Sequence, residues 1–231
     1  MPRIIGCLAI LSFGLAMHHV AAGESKEDVK EALQALQDYI GSWKGNGALE
    51  SDRTLWKENT NWGWRFKGKD AWLTLDFPVS KHFKKGEMRF LPDKEAYQLT
   101  LVDLKDKRLI FEGKLKRTTL TLERKDAESK ETQQLKMNLA GGGVRSIYTY
   151  SVKPENRTLY SKRWQVSFTK EGESFGTAQK KIECIVTGGL GTMPVSFNGV
   201  TYYVCCSGCR DAFNETPEKF VKEFLNKKKG K

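Results

Sequence analysis

The sequence predicts a mainly β protein: an N-terminal helix, an antiparallel up-and-down barrel, and a small C-terminal unit made of a β-hairpin and helices. Three observations carry that prediction. From Trp43 to about residue 170, apolar residues recur at alternate positions in short runs, with no helical period of useful length between them. Turn-prone stretches break these runs at roughly 8–14 residue intervals, the spacing of hairpin-linked strands. Every cysteine except Cys7 lies after residue 183, so the long β region must hold together by packing alone.

The first residues read as a leader rather than as part of the fold. "MPRIIGCLAILSFGLAMHHVAAGES" carries one positive residue, Arg3, then an apolar run from Ile4 to Met17, and ends in small residues. Val20 and Ala22 suit a cleavage before Gly23, so residues 1–22 are expected to be a secretory signal peptide. "IIGC" loosely fits a lipidation box at Cys7, but the apolar run lies mostly after that cysteine, the wrong order. Export is therefore expected, to a periplasm or the extracellular space. No other segment is apolar enough to cross a bilayer as a helix.

Composition narrows the class further. The chain of 231 residues has 39 Lys and Arg against 28 Asp and Glu, a formal charge of +11. The basic residues alternate with acids instead of forming a stripe, and the one basic cluster is the terminal "KKKGK". That is a solvated surface, and nucleic acid is not an expected partner.

"SKEDVKEALQALQDYIGSW" opens the body of the protein. Val29, Leu33, Leu36 and Ile40 mark one face of an amphipathic helix, with Ser25 and Asp28 as a capping box and Gly41 as the stop. Strands follow. "TNWGWRF" alternates Trp62, Trp64 and Phe66; "AWLTLDF" alternates Leu73, Leu75 and Phe77; "AYQLTLVDL" alternates Tyr97, Leu99 and Leu101. "TTLTLER", "QQLKMNLA" and "KRWQVSFTK" continue the pattern through Leu120, Leu135, Met137, Trp164 and Phe168. "FKGKD", "HFKKGE", "LPDKE", "LKDKR", "KPENR" and "KEGES" read as the turns between them. About nine strands of this kind most easily close into a barrel.

A short helix, then "GSWKGNG" with Gly41 and Trp43, then an up-and-down strand series resembles the lipocalin and fatty-acid-binding group, the calycins, over roughly residues 26–176. The resemblance implies a first strand whose Trp closes the barrel floor, and possible binding of a small apolar ligand inside. Trp43, Trp62, Trp64, Trp72 and Trp164 can line such a cup, or fill the core as aromatics at alternate strand positions do in any barrel. His82 sits in an expected turn without a second histidine to help it bind metal or haem. "AGGGVRS" at 140–146 opens no helix and reads as a hairpin turn. No nucleophile, base and acid fall into a recognisable set, so the protein is not expected to be an enzyme.

The last cysteines supply the most specific signal. Cys184 is followed by Cys205, Cys206 and Cys209. Asn198-Gly199 marks a hairpin between them, flanked by Val195, Phe197 and Tyr203. "SGCRDAFNE" then reads as a helix capped by Ser207 with Cys209 in its first turn. A second helix follows, capped by Thr216, with Pro217 first and Phe220, Val221, Phe224 and Leu225 on one face. A knuckle, a hairpin end and a helix start bring thiolates together in the manner of a treble-clef-like metal site, a useful staple for so small a unit. Soft thiolates select Zn2+ or Cu+.

These residues, from Cys184 through "NGVTYYVC" and Cys205-x-x-x-Cys209 to Phe213 and "TPEKF", resemble the TRASH/YHS cysteine metal-binding modules over about residues 180–227. The resemblance implies a metal held by Cys184, Cys205 and Cys209. Many members have Cys-x-x-Cys at the first position; here Thr187 stands in the second cysteine's place, leaving three ligands or drafting Cys206 as a fourth. Two other readings stay open. "CSGC" resembles a redox motif, but too little chain follows it for a thioredoxin-like fold, and an oxidising compartment favours disulfides. The expected function is non-enzymatic binding of a soft metal in handling or sensing. The alternative is a lipocalin-like carrier with a structural metal or disulfide staple.

Overall fold

The computed structural model describes residues 26–172 and 182–229. The expected leader, the Ser25 cap and the boundary between the two expected units lie outside those residues. In chain order the elements are α1 (Lys26–Gln34), β1 (Gly41–Leu49), β2 (Leu55–Lys67), β3 (Asp70–Val79), β4 (Phe83–Leu91) and β5 (Ala96–Asp103). They continue with β6 (Arg108–Lys116), β7 (Thr119–Asp126), β8 (Glu131–Ala140), β9 (Arg145–Pro154) and β10 (Ser161–Lys170). The chain closes with β11 (Met193–Phe197), β12 (Val200–Val204), α2 (Ser207–Glu215) and α3 (Pro217–Lys229).

The mainly β class holds. Strands β1 to β10 form one closed antiparallel barrel in sequence order, with β1 pairing both β2 and β10. The count is ten rather than about nine, and two of the strands outside the apolar runs named above have faces that mix polarity. β4 begins inside "HFKKGE", where Lys84 and Lys85 disguise a strand as a turn; the turn itself is confined to Ser80–His82. β9 buries Ser146 on the face of Tyr148 and Val152 and buries Ser151 on the opposite face, which breaks the apolar alternation. The "AGGGVRS" stretch is the β8–β9 hairpin connection, with Gly142 at φ +68°.

Gly41 is not the helix stop. α1 ends at Gln34, and a 3-10 turn over Gln37–Tyr39 carries the chain onward, closed by Tyr39 N–H to Leu36 O and Ile40 N–H to Gln37 O, both 3.0 Å. That tighter turn keeps Leu36 and Ile40 buried with Leu33 beneath the barrel. Gly41, at φ +125°, instead opens β1.

The barrel is filled by its own side chains. Trp43, Trp62, Trp64 and Trp164 are all buried, and each indole that reaches a polar partner is fixed by it. Trp43 Nε1 donates to Tyr39 O at 2.7 Å and Trp62 Nε1 to the Tyr148 hydroxyl at 2.8 Å. Trp43 thus sits on the first strand at the helix end of the barrel, where the Gly-x-Trp reading put it. Trp72 faces outward under the Arg89 guanidinium, 4.6 Å from the ring centroid. The void left between Glu58, Phe77, Leu101, Met137, Tyr148 and Trp164 is about 10 Å³, room for one water and no larger ligand. Glu58 itself is buried there, accepting from Trp56 Nε1 and Lys81 N–H, and burial pushes its carboxyl pKa up. Surface charges pair across the strands, as Lys84–Asp106 and Lys94–Glu112 do, in exposed contacts of small energetic weight.

The C-terminal unit packs on the barrel without a break in the core. Cys184, Val186, Val204, Cys209 and Phe213 join one apolar cluster with Leu33 and Trp64. β11 and β12 form the expected hairpin, with Asn198 at φ +49° and Gly199 at φ +74° as its two central residues. α2 lies against β2, where Gly208 fits because a Cβ there would strike the Trp64 carbonyl oxygen.

Candidate metal centre

Each sulfur is delivered by a different piece of local structure. Cys184 sits in a knuckle closed by Cys184 N–H to Gly189 O at 2.6 Å and Gly188 N–H to Cys184 O at 2.8 Å, with Gly188 at φ +76°. The knuckle is tied to the hairpin by Ile185 N–H to Tyr203 O at 2.9 Å. Cys205 follows directly on β12, and Cys209 lies in the first turn of α2. The cap of α2 is Cys206 rather than Ser207: its backbone is extended (φ −160°, ψ 170°), and its carbonyl takes the first helical bond from Arg210 N–H at 3.0 Å. Ser207 is already helical, one residue inside the boundary read from the sequence.

The sulfurs of Cys184, Cys205 and Cys209 lie within 4.8 Å of one another, and all three residues are buried. The Sγ atoms of Cys205 and Cys209 are 3.4 Å apart. A tetrahedral zinc–sulfur site with bonds of about 2.3 Å has sulfur–sulfur edges of about 3.8 Å, so this spacing is a metal-ligand spacing. All four thiols of the segment are free, with no disulfide among them. Cys206 stands outside the three-sulfur set but close to it: its Sγ is 3.9 Å from that of Cys205. Adjacent cysteines therefore diverge less here than their neighbouring positions suggest.

No family model matches the chain, and no curated protein matches it. Among solved structures it is similar to the crystal structure of Rv2717c from M. tuberculosis, with a TM-score of 0.39 and 16% identity over 61% of this chain and 97% of that one.

The protons of the cluster are unevenly held. Hydrogen bonds from Cys205 and then Cys209 pull the Cys184 and Cys206 thiols down from their ordinary range. Cys205 is pushed up by donating to Cys184 and Cys206, and Cys209 by its bonds to Cys184, Cys205 and Cys206. A soft cation entering the set displaces the remaining protons and takes over their role.

Three residues join the centre that the cysteine spacing does not reveal. Thr187 is buried with its Oγ1 3.6 Å from Cys205 Sγ, so its hydroxyl faces the cluster. Gln34 on α1 donates from Nε2 to Thr187 O at 3.1 Å, which anchors the knuckle to the barrel floor. Trp64 N–H on β2 donates to Cys206 Sγ at 3.3 Å. Only Thr187 had a signal in the sequence, its place in a C-x-x-T run. His82 lies at the other end of the barrel, stacked on Trp164 with ring centroids 4.7 Å apart.

Proposed function

We propose that this protein binds one soft metal ion, Zn2+ or Cu+, through Cys184, Cys205 and Cys209, and serves in metal handling or sensing after export. The observation that carries the reading is the set of three buried sulfurs within 4.8 Å of one another at the start of a helix. Three thiolates suit a trigonal Cu+ or a zinc site with one open position, which favours uptake and release over a purely structural ion. The resemblance of the segment to TRASH/YHS modules points the same way, with Thr187 in place of a fourth cysteine. The filled barrel supports a scaffold role, since a void of about 10 Å³ offers nothing to an apolar cargo. The reading assigns no catalysis.

Native mass spectrometry of the protein purified without chelator, with thiols counted by alkylation after denaturation, tests this. One metal mass and alkylatable thiols are expected, and the mass names the ion. A protein that takes up neither ion when reduced and supplied with it overturns the reading.

A further inference from the structure

The buried triad borders a cleft at Cys205, with Cys206 beside it. Cys184 and Cys209 are 1% and 0% exposed and Cys205 is 8% exposed, whereas Cys206 is half-buried. Cys206 stands at the inner wall of a cleft of about 620 Å³ between the outer face of β2–β3 and the C-terminal unit. Arg65, Asp76, Lys170 and Glu171 bring both signs of charge to that cleft. Lys170 is occupied, its Nζ donating to Asp38 O at 2.9 Å, and Glu171 pairs with Lys44 at 2.6 Å. Arg65 and Asp76, on neighbouring strands, also line the cleft. Gly63 keeps the space over Cys206 clear: a Cβ there would lie 4.0 Å from the Cys206 Cβ and 3.7 Å from Thr74 Oγ1, ordinary contact distances.

We infer that this cleft receives a small amino-acid-type thiol, which takes the ion from the triad, or delivers it, by way of Cys206. The inference rests on the metal reading above. An ion enclosed by protein sulfur exchanges when a new thiolate reaches it before an old one leaves; Cys205 and Cys206 both line the cleft, and Cys206 is the more exposed of the two and lies outside the triad. The incoming thiol gives up its proton and forms a sulfur–metal bond. A cysteine–metal bond breaks, and the freed cysteine thiolate takes up a proton; nothing is oxidised or reduced. Arg65 suits the entrant's carboxylate and Asp76 its ammonium.

The test loads the full chain with Zn2+ and follows transfer to a chelating dye by stopped flow, with L-cysteine, with 2-mercaptoethanol or without thiol. Cys206→Ser and Gly63→Leu are compared with the wild type, the second leaving every cysteine in place. L-cysteine is expected to speed release on the order of tenfold, saturably, and more than the neutral thiol does. Both variants keep their zinc but lose the saturable acceleration. Release that ignores thiol, or that rises identically in all three proteins, overturns the gate while leaving the site. Loss of zinc from Cys206→Ser makes Cys206 a resident ligand and overturns the gate as well. A wild-type chain that holds no zinc overturns the gate, and one that also takes up no Cu+ overturns the metal reading with it.

Discussion

The barrel and the C-terminal unit meet the same need, a buried interior, with different material. The barrel closes ten strands on each other and fills the space with tryptophan, leucine and phenylalanine. The C-terminal unit has one hairpin and two helices, and three of its buried side chains are cysteines. A unit of that size rarely supplies enough apolar burial to stand alone. It leans on β2 and α1, and its remaining cohesion falls to whatever the sulfurs bind. Stability and chemistry are thus divided between the two parts.

The sharpest way to split them is a Cys205→Ser, Cys209→Ser double variant. Metal affinity is expected to fall well beyond the roughly 10–100-fold that loss of an outer hydrogen bond costs. Hydrogen exchange should then show lost protection in 182–229 with the barrel strands unchanged. Exchange rising equally in both parts would mean that they are one cooperative unit.

Two glycines give the next comparison. A Cβ at Gly113 would strike the Thr121 carbonyl oxygen across β6–β7, and one at Gly208 would strike that of Trp64. Each alanine variant is expected to cost about 1–3 kcal/mol or more through overpacking against backbone. Gly113→Ala should lower the barrel's melting temperature, read by tryptophan fluorescence. Gly208→Ala should leave that temperature in place and lower metal retention. The reverse pattern would refute the division.

Within the barrel, Tyr148→Phe strands the buried Trp62 Nε1, at an expected cost of about 1–3 kcal/mol. Urea denaturation should show a lower midpoint at constant slope; an unchanged midpoint would mean the indole finds another acceptor. The smallest effect concerns pH. Burial, then the charge of Lys81, hold His82 down to about 4 from its ordinary 6.5. Between those values the unfolded chain binds more protons, so stability rises with pH and is lost as pH falls from about 6.5 toward 4. His82→Phe should flatten that slope in the barrel's melting curve without touching metal affinity.

The barrel was legible wherever one strand face is uniformly apolar, as in the Trp62–Trp64 and Leu73–Leu75 runs. β4 and β9 escaped because lysines, a glycine and buried serines interrupt the period, and their strand pairing is settled by neighbours rather than by their own residues. The triad was legible because knuckle, hairpin end and helix start are local features with local turn signals. The hold on Cys206 was not. Its partner is a backbone N–H on β2, 142 residues earlier in the chain, and a backbone group carries no mark in a sequence. Gln34 escaped for a related reason, since its bond to Thr187 O depends on where the barrel floor places the helix.

β1 begins at Gly41 opposite Trp62, while β2 runs on to Lys67. From Gly63 onward β2 therefore has no β1 beside it, and α2 and Cys206 occupy that side. An uncovered strand edge is a template for another chain's strand. The C-terminal unit is in this sense a built-in guard against aggregation, and the guard is fastened by a thiol. On the proposed metal reading, solubility and metal occupancy become linked: a chain cut before Cys184 is expected to self-associate on light scattering, and metal-free chain to drift the same way.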